Sequence, residues 1–143
     1  MKMIKDLTEK ILSFIKGDKN EKQEILLIDH RFQSLEFLKN ALCRRYKVLI
    51  AQDKEEAISR ARLYKPSMII LNCRLHKEAT LDLCASFRKF YEIKNVPILI
   101  IAQEAETGKI AEFYTHEIDG VLMEPFTRKE LLRQIQAAFL DRR

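Results

Sequence analysis

Pro66-Ser67-Met68-Ile69-Ile70-Leu71-Asn72 sets four consecutive apolar residues between a proline-serine pair and a single polar side chain. So short an apolar run, bounded on both sides, reads as a strand covered on both faces. In open parallel α/β sheets, sites are built just outside the carboxyl ends of the strands, which makes Asn72 a candidate site residue. An aspartate at such a position can attack phosphorus and become an acyl phosphate. An asparagine cannot, because its amide nitrogen is a poor nucleophile and carries no charge to hold a metal.

Outward from this strand, similar aliphatic runs at 25–28, 48–51, 98–101 and 121–123 alternate with segments of helical period at 32–45, 54–64, 80–91, 105–116 and 128–140. Asp53 with Glu56, and Thr127 with Glu130, have capping-box spacing and fix two helix starts. Strict β-α alternation predicts one doubly wound, five-stranded parallel sheet with right-handed crossovers over residues 24–143. A chain of 143 residues is long enough for one ordinary core.

Residues 1–23 stand outside the alternation and read as an amphipathic helix followed by a polar linker. Ile4, Leu7, Ile11 and Phe14 form an apolar stripe at heptad-like spacing, and Gly17 is a plausible stop. Four uses of the stripe stay open: packing on its own domain, homodimer formation, docking on a partner helix, and lying on a membrane surface. Two heptads alone make a weak coiled coil, so a dimer would need help from the globular part.

The net charge of +5 does not form a patch. Residues 1–23 hold six lysines against four acids, which leaves +3 over the remaining 120 residues. Arg44, Arg45 and Lys47 are the densest basic cluster, without a recognisable binding motif, so nucleic acid is not an expected partner. Cys43, Cys73 and Cys84 show no metal or disulfide spacing. No apolar run approaches a membrane span and the amino terminus has no signal-peptide pattern, so a cytoplasmic protein is expected. There is no Ser/His/Asp or Cys/His arrangement and no glycine-rich phosphate loop; only three glycines occur in the chain. An enzyme is therefore not expected, and no cofactor is.

Taken in order, Ile25-Leu26-Leu27-Ile28-Asp29, the segment ending in Asn72, Val96-Pro97-Ile98-Leu99-Ile100-Ile101 and Asp119-Gly120-Val121-Leu122-Met123-Glu124-Pro125-Phe126 resemble the receiver domain of bacterial two-component response regulators. The resemblance covers residues 24–140. It implies a flavodoxin-like (CheY-like) sheet of order 2-1-3-4-5, and an activity in which one aspartate takes a phosphoryl group from a histidine kinase or small donor with bound Mg²⁺. That chemistry uses acidic groups for the cation, a carboxylate nucleophile, a hydroxyl and a lysine.

Residue by residue, most of this set is replaced. The acidic pair reads Asp29-His30, the acceptor is Asn72, the Ser/Thr closing the fourth strand is Ala102, and the lysine before the proline-aromatic pair is Glu124. The aromatic switch on the fifth strand is Val121. Asp29, His30 and Glu124 are expected at the carboxyl ends of adjacent strands, with Glu124 pairing with His30, Arg31 or Arg74. An incoming phosphoryl group is expected to meet an anion where it needs a cation, with about 4 kcal/mol of repulsion between unit charges 4 Å apart at an effective dielectric near 20.

The expected function is a phosphorylation-independent pseudo-receiver: a protein-interaction module in a signalling, localisation or motility assembly, with protein partners. Its candidate surfaces are the amino-terminal stripe (Ile4, Leu7, Ile11, Phe14) and the face formed by the fourth helix, fifth strand and last helix, marked by Tyr114 and Val121. The competing reading is a sensor that holds a small ligand or metal in the altered pocket of Asp29, His30, Asn72, Ala102 and Glu124. Cys73 is a candidate redox thiol beside Asn72, with Arg74 and His76 to lower its pKa. Cys43 and Cys84 are expected to pack as small hydrophobes, and His116 to sit near a helix end.

Overall fold

A computed structural model of the chain describes residues 7, 8, 11, 22–73, 77–103 and 118–141. Five strands, β1 (Glu24–Ile28), β2 (Lys47–Ala51), β3 (Met68–Asn72), β4 (Ile98–Ala102) and β5 (Gly120–Met123), alternate with helices α1 (Phe32–Leu42), α2 (Lys54–Tyr64) and α3 (Lys77–Lys89), and α4 (Arg128–Asp141) follows β5. The sheet is parallel throughout, as the alternation predicts, and its order is β2-β1-β3-β4-β5, as the resemblance implies. The predicted helix at 105–116, which contains Phe113, Tyr114 and His116, lies outside the described residues, as do Ile4, Phe14, Arg74 and His76. Of the amino-terminal stripe, Leu7 and Ile11 are described; both are helical and exposed.

Alternation of side chains along each strand divides the core into two layers. Leu26, Ile28, Ile69, Leu71, Ile98 and Ile100 face Ala57 and Ala61 of α2 and Leu83, Cys84 and Phe87 of α3. Ile25, Leu27, Met68, Ile70, Leu99 and Ile101 face Leu35, Leu38 and Leu42 of α1 and Leu131, Ile135 and Ala138 of α4. The central strands β3 and β4 are buried along their whole length, while β2 and β5, at the edges, are only partly covered.

Both expected helix starts are capped by the side chains at the predicted positions. The Asp53 carboxylate accepts from Glu56 N at 2.8 Å, and Thr127 Oγ1 accepts from Glu130 N at 3.1 Å and donates to the Glu130 carboxylate at 3.1 Å. The first helix is shorter than predicted, ending at Leu42 instead of residue 45. Cys43 is consequently its C-cap and is exposed, which corrects the expectation that it packs as a small hydrophobe; Tyr46 takes the buried place beyond the turn. Cys84 is buried, as expected.

Candidate functional site

Asp29 follows β1, Asn72 closes β3, and Glu124 follows β5. The backbone ladder continues past these strand ends through Asp29 N to Ala51 O (3.2 Å), Cys73 N to Ile101 O (2.8 Å) and Glu124 N to Ala102 O (2.8 Å), which fixes where each side chain starts. Since β3 and β4 stand between β1 and β5, the expectation that Asp29, His30 and Glu124 occupy adjacent strands is corrected by the sheet order. Asn72, from the strand between them, brings the two carboxylates together. Its Nδ2 donates to Asp29 Oδ2 at 2.9 Å and to Glu124 Oε1 at 3.5 Å.

Asp29 and Asn72 are 1% and 2% exposed, so this contact is made in the interior. Carboxylates only accept hydrogen bonds, and the amide therefore turns its NH₂ edge, not its oxygen, towards both. Asp29 Oδ1 also accepts from Arg31 N at 3.0 Å, folding the start of α1 over the strand end. Ala102 is buried beneath the site and offers only a methyl group.

Arg31 is the residue that sequence reasoning undervalued. Its Nη2 lies 3.5 Å from Asp29 Oδ2 and 3.8 Å from Glu124 Oε1, and donates to Ser34 Oγ at 2.7 Å. Its guanidinium, beside both carboxylates, puts a cation where an incoming phosphoryl group was expected to meet only an anion. Of the three partners expected for Glu124, the described contact is with Arg31. Gln103 Nε2 also donates to Glu124 Oε2 at 3.3 Å. His30 is half exposed, its Nδ1 3.7 Å from Asp29 Oδ1. The signal for Arg31 was available in sequence, as a cation two positions after Asp29, but a helix-opening residue does not announce which way its side chain turns.

Mg²⁺ demands oxygen ligands in near-octahedral array at about 2.0–2.1 Å. This arrangement sets amide N–H groups and a guanidinium where such ligands would be needed, so these residues do not fit the ion. Among the described residues, no group of three or more His, Cys, Asp or Glu side chains is placed to hold a metal. Cys73 is 2% exposed and belongs to the core layer with Leu71 and Cys84, which removes the accessibility that a redox thiol needs. Val121 is half buried on edge strand β5 and packs against the same layer.

Beside the carboxylates lies an open cleft of about 670 Å³. Phe37 and Leu38 of α1 form one wall and Pro125 and Phe126 the other; Ile101 and Asn72 form the floor, and Arg31, Gln33, Ser34, Gln103 and Glu124 supply polar groups. The rings of Phe37 and Phe126 stand 6.0 Å apart at 58°. The peptide bond between Glu124 and Pro125 is cis.

The sequence model of the response regulator receiver domain matches residues 25–136. Hybrid signal transduction histidine kinase D of Dictyostelium discoideum is 21% identical over 132 residues, covering 92% of this chain and 8% of that protein. The alkaline phosphatase synthesis transcriptional regulatory protein PhoP of Bacillus subtilis is 28% identical over 117 residues, covering 80% of this chain and 48% of that protein. The chain thus spans less than half the length of these curated relatives. Among solved structures, chemotaxis response regulator CheY4 of Vibrio cholerae superposes with a TM-score of 0.75 at 23% identity, covering 82% of this chain and 99% of that one. The receiver domain of sensor histidine kinase PA1611 from Pseudomonas aeruginosa, solved with a magnesium ion coordinated in its active site cleft, gives 0.74 at 24% identity, covering 83% and 98%. With the sheet order, the two-layer core and the match over residues 25–136 in agreement, the chain belongs to the response regulator receiver domain family.

Proposed function

We propose that this receiver domain works without phosphotransfer, as a pseudo-receiver that signals through its surfaces. The observation that carries the reading is the Asn72 amide, donating to Asp29 at 2.9 Å and to Glu124 at 3.5 Å. The amide takes the place of the acceptor carboxylate, and its N–H groups, with Arg31, take the place of the cation. These contacts form without a phosphoryl group, which supports a domain whose surfaces do not wait on phosphotransfer. The domain is then a constitutive docking module and not an enzyme.

Protein partners in a signalling, localisation or motility assembly suit this role, and so does a cytoplasmic location. Among the described residues no helix is long and apolar enough to cross a membrane. Leu7 and Ile11, with 60% and 51% of their surface exposed, support the amino-terminal stripe as a contact surface for a partner helix or for a second copy of the chain.

Incubation with radiolabelled acetyl phosphate and Mg²⁺ tests the central claim. The expected result is no stable adduct. A stoichiometric, hydroxylamine-sensitive acyl phosphate would overturn it.

A further inference from the structure

Two strands bound the sheet, and their edges are not alike. At one edge, β5 spans four residues, opens on Gly120 and is closed by Glu124 and Pro125. A short strand with a charge and a proline at its end is guarded against pairing with another chain. At the other edge, β2 reads Lys47-Val48-Leu49-Ile50-Ala51 and keeps unbroken register with β1. It has neither proline nor bulge, and its one charge stands at the first position.

The outer side of β2 offers backbone groups to a further strand. Lys47 N donates to Gln23 O at 2.9 Å and Asp29 N donates to Ala51 O at 3.2 Å, so the backbone groups of Lys47, Leu49 and Ala51 turn towards β1. Successive residues of a ladder turn to opposite sides, which sends the N–H and C=O groups of Val48 and Ile50 outwards. Among the described residues no strand lies beyond them. Val48, Leu49 and Ile50 are only half-buried, so apolar side-chain surface remains along the same edge.

Charge selects what fits this edge. The segment runs from a basic end, Arg44, Arg45 and Lys47, to an acidic one, Asp53, Glu55 and Glu56, where Lys54 is the one opposing charge. A second β2 laid alongside in the antiparallel sense sets each basic end on the other's acidic end; a parallel one sets like on like. Outward backbone groups must also meet outward backbone groups, which allows a two-fold axis at Ile50 or at Leu49. With the axis at Ile50, Val48 stands opposite Gln52 and Lys47 opposite Asp53, whose backbone is already extended at φ −140° and ψ 171°. With the axis at Leu49, Lys47 would face Ala51. The first register pairs opposite charges across the seam at both ends.

We propose that β2 is an interface between two copies of this chain, paired antiparallel about a two-fold axis at Ile50 so that their sheets join into one. Such an interface is isologous: Lys47 of each copy meets Asp53 of the other, and Ile50 meets Ile50. It depends neither on the loss of phosphotransfer nor on the amino-terminal stripe.

Amide hydrogen exchange of the full chain, followed by NMR at rising protein concentration beside sedimentation, tests the pairing. As the dimer forms, the Val48 and Ile50 amides are expected to slow by about tenfold or more, while those of Leu49 and Ala51, bonded to β1, are slow throughout. Lys47→Glu, at an exposed position whose 3.3 Å contact with Glu24 lies at the surface, should weaken the dimer by about tenfold without moving the unfolding midpoint. Adding Asp53→Asn, which keeps a capping side chain on α2 and removes its charge, should recover most of that loss. A chain that stays monomeric, protection of Val48 and Ile50 that does not change with concentration, a dimer indifferent to Lys47→Glu, or no recovery with Asp53→Asn would each overturn the proposal.

Discussion

Asn72 Nδ2 and Asp29 Oδ2 meet at 2.9 Å in the interior, an amide donor facing a buried carboxylate. Asn72→Asp would exchange this hydrogen bond for a contact between two carboxylates, with Glu124 as a third nearby. It is expected to lower stability at neutral pH by about 2–4 kcal/mol, from the lost bond and the repulsion together. Millimolar Mg²⁺ should return part of that loss, since three carboxylates offer the oxygens that the present residues withhold. The same variant is expected to remain unphosphorylated by acetyl phosphate, because Ala102 and Glu124 still lack the hydroxyl and the lysine. Urea denaturation with and without Mg²⁺ measures the first two effects, and unchanged stability would refute them.

A different buried pair organises the opposite end of the sheet. Arg88 Nη2 lies 3.2 Å from Asp119 Oδ2, and the two side chains are 12% and 7% exposed. Asp119 Oδ2 also accepts from Ile98 N at 2.8 Å, while Arg88 Nη1 donates to Val96 O at 2.6 Å and Lys94 O at 3.0 Å. Arg88→Met should cost about 3–5 kcal/mol, because it leaves a carboxylate buried without its cation. Arg60→Ala, which breaks the exposed helical pair with Glu56 at 3.1 Å, should cost under about 0.5 kcal/mol. Chemical denaturation of the two variants side by side checks the contrast; similar losses would contradict it.

Burial pushes the Cys84 thiol from 9.0 up to about 12, with Arg88 opposing the shift only in part. Burial likewise raises the Tyr46 hydroxyl above 10.0, against the pull of Arg45. Below pH 9 the folded and unfolded chains both keep the Cys84 proton, and stability is unaffected. Between about pH 9 and 12 the unfolded chain releases it while the folded chain holds it, so unfolding becomes easier by up to about 1.4 kcal/mol per pH unit. Cys84→Ala should flatten this alkaline limb in urea melts taken at successive pH values. In the native protein, maleimide is expected to label exposed Cys43 and to spare Cys73 and Cys84.

Continuous apolar runs at 25–28, 68–71 and 98–101 were legible because those strands are buried on both faces, and Asp53 and Thr127 marked their helix starts through spacing alone. Cys43 was misread for a local reason. It fits the apolar period of α1, but the helix stops one residue earlier, so the period no longer governs where the side chain points. At the site, sequence supplied the residue types at 29, 72 and 124 and could not supply their directions. The sheet order followed from the resemblance, but that Asn72 bridges two carboxylates from strands three positions apart, and that Arg31 turns inward, depends on rotamers, which spacing does not encode.

Lys65 caps α2 in the left-handed region at φ 49°, a conformation that glycine adopts without a Cβ clash. Chain direction explains the position: the helix ends at Tyr64, and Pro66 follows immediately before β3, so the turn has a single residue in which to reverse. Lys65→Gly is expected to raise stability by about 0.5–1 kcal/mol, the relief of backbone strain exceeding the added freedom of the unfolded chain. A shift of the urea midpoint to higher concentration at constant slope would bear this out, and a lower midpoint would refute it.

Leu7 and Ile11, four residues apart in sequence, are both helical and exposed. Exposed apolar side chains spaced four residues apart serve a contact more than they serve the domain's own core, since neither is covered by it. Leu7→Glu with Ile11→Glu should therefore leave the unfolding midpoint within about 0.5 kcal/mol of the parent. Sedimentation of the full chain separates the two occupants. Loss of a concentration-dependent dimer in the double variant would assign the stripe to a second copy. An unchanged monomer with weakened capture of a partner protein would assign it to a partner helix. A large fall in stability would instead show that the stripe packs on its own domain, against the docking role proposed for it.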